Sequence, residues 1–325
     1  MVTVKLLAAA LGLVAACGAH AQGWKPQKAV ELVLPTAAGG ANDNVVRTIQ
    51  KIMQDQKLVP TPVVVMNKPG GNQTLGTVYV RQHVNDPHYL LYSTSQVFGA
   101  EITGLSKMRY SELTPIALLI TEYSVISVRA DSPLRTMRDL MAKLQADPQS
   151  IAFGMVSRGG SNHVALSGAA KNSGVDPKRL KTIVFKTNQE SYLGLVGGHL
   201  QAVASSATAA QPFVQQGAVR ILAIGAPQRQ SGDLANVPTM KEQGIDGRTV
   251  TNWRGIFAPP GITAPQITYW DDAFAKLVVS DDWKKLIDQN STDGRHLRSS
   301  DFAKFLDTEY IVSKTILTEL GYAKQ

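Results

Sequence analysis

The sequence predicts an α/β protein of two lobes, on three observations. Short apolar runs alternate with amphipathic ones along most of the chain, which is how mostly parallel sheets with helices on both faces read. One apolar run is too long for an ordinary strand. A chain of 325 residues, 44% of them apolar, has material for two cores.

The elements follow in order. Residues 1–21 carry one lysine, an apolar run from Leu6 to Ala16 and small residues at Ala19 and Ala21. They read as a secretory signal peptide, too short to cross a bilayer as a mature helix. Cys17, the only cysteine, leaves with it, or becomes a lipidated first residue if "LVAAC" is processed as a lipoprotein signal. Either way the folded part is expected to hold no disulfide. Strands are expected at Val30–Leu34, Val63–Met66, Tyr89–Ser93, Ile116–Val128, Ile151–Met155, Thr182–Phe185, Gln201–Ala204, Ile221–Ile224 and Gly255–Ala258. Helices are expected at Asn42–Gln56, where Val45, Val46, Ile49, Ile52 and Met53 share a face, and at Leu134–Leu144, Val164–Lys171, Ser191–Val196, Ala264–Val278 and Asp301–Leu320.

The long run is "PIALLITEYSVISVRA", Pro115 to Ala130, with Thr121, Glu122 and Tyr123 at its middle. A strand leaving one sheet for another would read this way. A second crossing near Ile221–Pro227 would divide the chain into a discontinuous first domain, 23–122 plus 228–325, and an inserted second domain, 123–227. Two lobes on two crossover strands form a hinge, and the space between them is the natural ligand site.

Two loops share one design. "LPTAAGGAND" runs from an apolar strand through Thr36, Ala37, Ala38, Gly39 and Gly40 into a helix beginning near Asn42. "GMVSRGGSNH" repeats the arrangement in the inserted domain through Ser157, Arg158, Gly159, Gly160, Ser161, Asn162 and His163. Glycine lets the backbone turn at positive φ or approach a ligand, and a helix start favours an anion. Neither loop matches a phosphate motif. Arg158 could fork two hydrogen bonds onto a carboxylate. Ser93 and Thr94, Thr187 and Asn188, and Ser205 with Ser206 and Thr208 lie at the carboxyl ends of strands, where ligands of open α/β sheets sit.

These residues resemble the Bug receptors, the extracytoplasmic solute receptors of tripartite tricarboxylate transporters, also called TctC-like. Leu34-Pro35, Ala38-Gly39-Gly40, Asp43 and Arg47 resemble the family's first block, and "NKPGG" at Asn67 to Gly71 with Leu75-Gly76 its second. Gly159 and His163, "LVGGHLQA" at Leu195 to Ala202, "NVPTMKEQG" at Asn236 to Gly244, and Trp253, Gly255 and "APPG" at Ala258 to Gly261 are similar to later blocks, in family order. The resemblance implies a two-lobed type II periplasmic-binding-protein fold that closes on a small carboxylate, held largely by backbone amides and water in the two glycine loops. It also implies docking with membrane transporter subunits. A monomer without cofactor is expected, and no metal site, because His83 and His88 come without a paired carboxylate cluster. Thr36-Ala37, Asn72-Gln73-Thr74 and Thr187-Asn188 depart from the family pattern. Ser205 stands where many relatives carry an acid, which points to a purely anionic ligand, a dicarboxylate or an aromatic carboxylate.

Other readings weigh less. The net charge of +8, or +7 without Lys5, is scattered and comes with an export signal, so nucleic acid is not expected as a partner. No nucleophile elbow or H-E-x-x-H site supports an enzyme, and Ser161 and His163 lack an orienting acid. His163 reads better as a packed or capping residue. A ligand sensor feeding a signalling receptor would share every feature of a transport receptor.

Overall fold

The computed structural model describes residues 23–71, 73–156, 158–230, 232–245, 251–289 and 292–324. The leader, Asn72 and Ser157 therefore lie outside the described residues.

The first lobe is built on Val30–Leu34 (β1), Val63–Asn67 (β2) and Tyr89–Thr94 (β3), paired in parallel with β1 central. Ala41–Asp55 (α1) crosses from β1 to β2 and buries the expected stripe of Val45, Val46, Ile49, Ile52 and Met53. Thr74–Arg81 (α2) leads to β3, and Gln96–Ile102 (α3) follows it.

The long run is one strand, Thr114–Arg129 (β4), buried from Ile116 to Val128. It serves two sheets. In the second lobe follow Met137–Ala146 (α4), Ala152–Met155 (β5), Ser161–Asn172 (α5), Lys181–Val184 (β6), Asn188–Val196 (α6), Ala202–Ser206 (β7), Ala207–Gln215 (α7) and Val219–Ile224 (β8). The chain returns through Thr251–Ala258 (β9) to Ala264–Val278 (α8), Asp281–Gln289 (α9), Leu297–Arg298 (β10) and Ser299–Glu319 (α10). Strand β4 pairs with β9 from Thr114 to Tyr123 and with β7 and β8 from Ser124 onward, so it changes sheets between Tyr123 and Ser124. The sheet order is β2-β1-β3-β9-β4-β7-β5-β6, with β8 and β10 also on β4. Pairing is parallel among the outer strands and antiparallel around β4 and β9, because a chain that crosses and returns must run both ways.

The second crossing is expected at Ile221–Pro227. Strand β8 stays in the second sheet, and Ile224 bridges Thr239 beyond it. Met240 and Ile245 are buried with Ile126, Leu140 and Leu222, and Gln243 Nε2 donates to Leu222 O at 2.7 Å. Met240, Gln243 and Ile245 thus pack with the second lobe. The apolar run 221–224 marked a strand correctly, but its turn at Gly225–Pro227 leads into a loop whose few apolar side chains complete the second core.

Helix α10 spans both lobes. Phe302 and Leu306 share a cluster with Leu118, Trp253 and Phe257, while Ile316 and Leu317 reach Val164 and Ala165 of α5. Lys171 and Glu319 pair at 2.6 Å across this contact. Gly255 is required for the approach: a Cβ there would meet the Phe302 ring and lie 3.0 Å from Ala117 O.

Candidate functional site

The two glycine loops have the same conformation. Gly39 takes φ +83° and Gly159 φ +81°, where a side chain would be strained. Gly40 and Gly160 then act as helix N-caps in extended backbone, at φ −86°, ψ 175° and φ −75°, ψ 167°. Neither helix has a side-chain cap, and Asn42 and Asp43 lie within the first turn of α1. In each loop the residue four positions after the turning glycine fastens it: Gly39 N donates to Asp43 Oδ2 and Gly159 N to His163 Nδ1, both at 3.0 Å.

The fastening residues are buried and tuned by their contacts. Asp43 also accepts from Arg47 Nε at 2.8 Å and Asn67 Nδ2 at 3.0 Å. Those donors, Arg47 first, hold its carboxyl down at about 2. Burial, then the charge of Arg158, pushes the His163 imidazole down to about 4, so at neutral pH Nδ1 is a free acceptor for Gly159. The amides of Gly39 and Gly159 are therefore occupied. What remains for a ligand is the first turn of each helix, whose N–H groups have no intrahelical acceptor.

Those first turns share a cavity of about 410 Å³ between the lobes, within the range of small-molecule sites. Ala41 and Asn42 line it from α1, and Gly160, Ser161 and Asn162 from α5. The two asparagines are set alike. Asn42 Oδ1 accepts from Tyr92 OH at 3.3 Å and Asn162 Oδ1 from Ser124 Oγ at 2.7 Å, and among the described residues their NH2 groups have no hydrogen-bond acceptor. Further helix starts border it at Gln96, Asn188 and Thr208, and Ser206 caps α7 through Ala209 N. A ring of helix N-termini attracts an anion by roughly 0.3–1 kcal/mol each, more where water is excluded.

Thr36 holds Asn67 through its carbonyl, and Ala37 and Ala38 are exposed and not among the cavity's lining. Ser93 and Thr94 are buried and bind Gln73, which in turn binds Gln96, so the side chain that reaches the cavity is Gln96. Thr187 caps α6 through Glu190 N, and its neighbour Asn188 lines the cavity with a buried Oδ1 that has no partner among the described residues. Arg158 is exposed and donates to Thr182 O at 3.2 Å, away from the lining. Ser205 is fully buried against Tyr192 OH at 2.6 Å, and Ser206 presents the cavity hydroxyl instead.

The floor was missed by sequence reasoning. Glu122 on β4 and Arg254 on β9 meet at 2.7 Å, with side chains 1% and 11% exposed. Glu122 Oε1 also accepts from Thr208 N at 3.2 Å, and Oε2 from Asn252 Nδ2 at 3.3 Å. The available signal was a charged residue inside the long run, Glu122, and another immediately before the run Gly255–Ala258, Arg254. Among the described residues no three potential metal ligands cluster, and no helix is long and apolar enough to cross a membrane.

Residues 45–322 match the family model described as the tripartite tricarboxylate transporter family receptor, TctC. The chain belongs to this family. A Cupriavidus necator protein encoded in the gbd 5' region is 31% identical over 320 residues, covering 97% of this chain and 94% of that one. The fold is similar to that of a TctC solute-binding protein from Polaromonas, at TM-score 0.79 and 25% identity over 90% of this chain and 99% of that chain. It is also similar to MatC from Rhodopseudomonas palustris with bound malate, at TM-score 0.73 and 22% identity over 90% and 99% of the two chains. As a TctC-family receptor the protein has the family and fold of solute-binding proteins rather than of enzymes, in agreement with the sequence resemblance.

Proposed function

We propose that this TctC-family receptor works in the periplasm, where it captures a short aliphatic dicarboxylate between its lobes and delivers it to the membrane subunits of a tripartite tricarboxylate transporter. The observation that carries the reading is the pair of uncapped helix starts, one from each lobe, opening on one cavity. Each offers amide donors and a positive dipole end, so an anion between them favours closure of the lobes.

Two features narrow the ligand. The lining has no Phe, Tyr or Trp among the described residues; its apolar members are Ala41, Val156 and Ala209, a poor stacking surface for an aromatic acid. The polar groups are mostly donors, which suits a ligand rich in acceptor oxygens. The malate held by the similar MatC is of this class.

The test is a thermal-shift screen of ligand-stripped protein against mono- and dicarboxylates, aliphatic and aromatic. A dicarboxylate at 100 times its Kd should add about 2.7 kcal/mol of stability and raise the melting temperature. Failure of every aliphatic dicarboxylate to raise it, or a larger response to aromatic acids, would overturn the reading.

A further inference from the structure

The buried ion pair of the cavity, Glu122 with Arg254, is asymmetric in what it leaves open. Glu122 is spent: its two carboxylate oxygens take Thr208 N, Asn252 Nδ2 and Arg254 Nη2, and its side chain is 1% exposed. Arg254 is not. Its guanidinium carries five N–H donors, yet among the described residues its only hydrogen-bond partner is Glu122, and its side chain keeps 11% exposure on the cavity wall.

The pair is also fixed in place. Arg254 lies in the middle of β9, facing Thr94 on β3 and Ile120 on β4 in register, so its backbone is held from both sides. Asn252 is braced by Ser95 Oγ at 3.1 Å and holds Glu122 from the same strand. Burial works against the guanidinium charge, but the carboxylate beside it prevails and keeps Arg254 above its ordinary value. The group is therefore a permanent, preorganised cation with donors to spare, bordering a cavity whose other walls end in helix N-termini.

We infer that Arg254 is the specificity-determining residue of this receptor: it takes the second carboxylate of a ligand whose first carboxylate lies at the helix starts of α1 and α5. This rests on the carboxylate-receptor reading above and adds the residue that separates two anionic ends from one. The same asymmetry sets the rejection. A ligand ammonium would find no free oxygen on Glu122 and would face the guanidinium, so an ω-amino acid gains nothing over the plain monoacid. This also relocates the discrimination expected from Ser205, whose hydroxyl is turned into the core, and from Arg158, which bonds Thr182 outside the lining.

The test uses calorimetric titration of the purified full-length protein with butanedioate, hexanedioate, butanoate and 4-aminobutanoate. A charge-assisted hydrogen bond of this kind corresponds to about 10- to 100-fold in affinity. The wild type is expected to prefer the diacids over butanoate by that factor, and to bind 4-aminobutanoate no better than butanoate. Because Arg254→Gln alone strands a buried Glu122 and can fail to fold, the double variant Glu122→Gln with Arg254→Gln removes both charges together. In it the diacid preference over butanoate should collapse; in Arg158→Ala the preference should persist. A double variant that folds and keeps the preference, or a preference lost in Arg158→Ala instead, overturns the role of Arg254 and leaves carboxylate capture standing. A wild type that binds none of the acids overturns both.

Discussion

His163 offers the most direct test of how the second loop is fastened. Its ring is 2% exposed, accepts Gly159 N–H at Nδ1 and meets the Tyr322 ring edge-on at 5.5 Å. Burial, assisted by the charge of Arg158, moves it from 6.5 to about 4. The sign follows from which state binds the proton. The unfolded chain protonates below 6.5 while the folded protein does not until about 4, so the stabilisation is fully present above 6.5 and is lost as pH falls toward 4. That interval corresponds to about 3 kcal/mol at 1.36 kcal/mol per pH unit. The perturbation is His163→Asn, which keeps an acceptor for Gly159 but does not titrate. Lost packing against Tyr322 lowers the variant's stability by a constant amount, whereas the proton-linked part varies with pH. Urea unfolding followed by circular dichroism, at pH values from 6.5 down to 4, should show the wild type's advantage shrinking by that amount. Glu309, raised by burial to about 7, has the opposite sign: its contribution is present below 4.5 and lost as pH rises to about 7. It is common to both proteins and drops out of the difference. An advantage that stays constant across the range would refute the claim that the loop is closed by a buried neutral imidazole.

Two further outcomes follow from the same packing. Ser205→Ala should cost about 1 kcal/mol in unfolding experiments, since it strands part of the bonding of the buried Tyr192 hydroxyl, yet should leave carboxylate affinity unchanged in calorimetry; weakened binding would return Ser205 to the cavity. Gly255→Ala should cost about 1–3 kcal/mol by forcing the Phe302 ring, and Phe302→Leu in the same chain should recover part of that loss in thermal unfolding; an unchanged melting temperature for Gly255→Ala would show that the approach of α10 to β9 is not as tight as described.

Strands β1 to β9 were legible because apolar β-branched runs bounded by Gly, Pro and Asn have few alternatives, whereas the two-residue β10 was not. Helices α2, α3, α7 and α9 were not. Thr74–Arg81 is rich in β-branched residues that favour strands, and Ala207–Gln215 contains Pro212, so local propensity argued against what packing imposed. Helix α3 is only seven residues long, too short to declare a period. In the site, the paired glycine loops were legible since their chemistry is local: two glycines, then a helix. Asn252 and the Glu122–Arg254 pair were not read as site residues, because each matters only through a neighbour far away in the chain.

The sequence alone therefore determined the α/β class, the long crossing strand and both helix-start loops, all of which are properties of short segments with their own steric and hydrogen-bonding demands. Tertiary structure decided which donors remained free. It spent Gly39 and Gly159 on Asp43 and His163, turned Ser205 inward, and brought Glu122 and Arg254, 132 residues apart, to 2.7 Å. The physical reason is that availability for a ligand is what the rest of the fold leaves unpaired, and pairing across adjacent strands is set by register rather than by any local pattern.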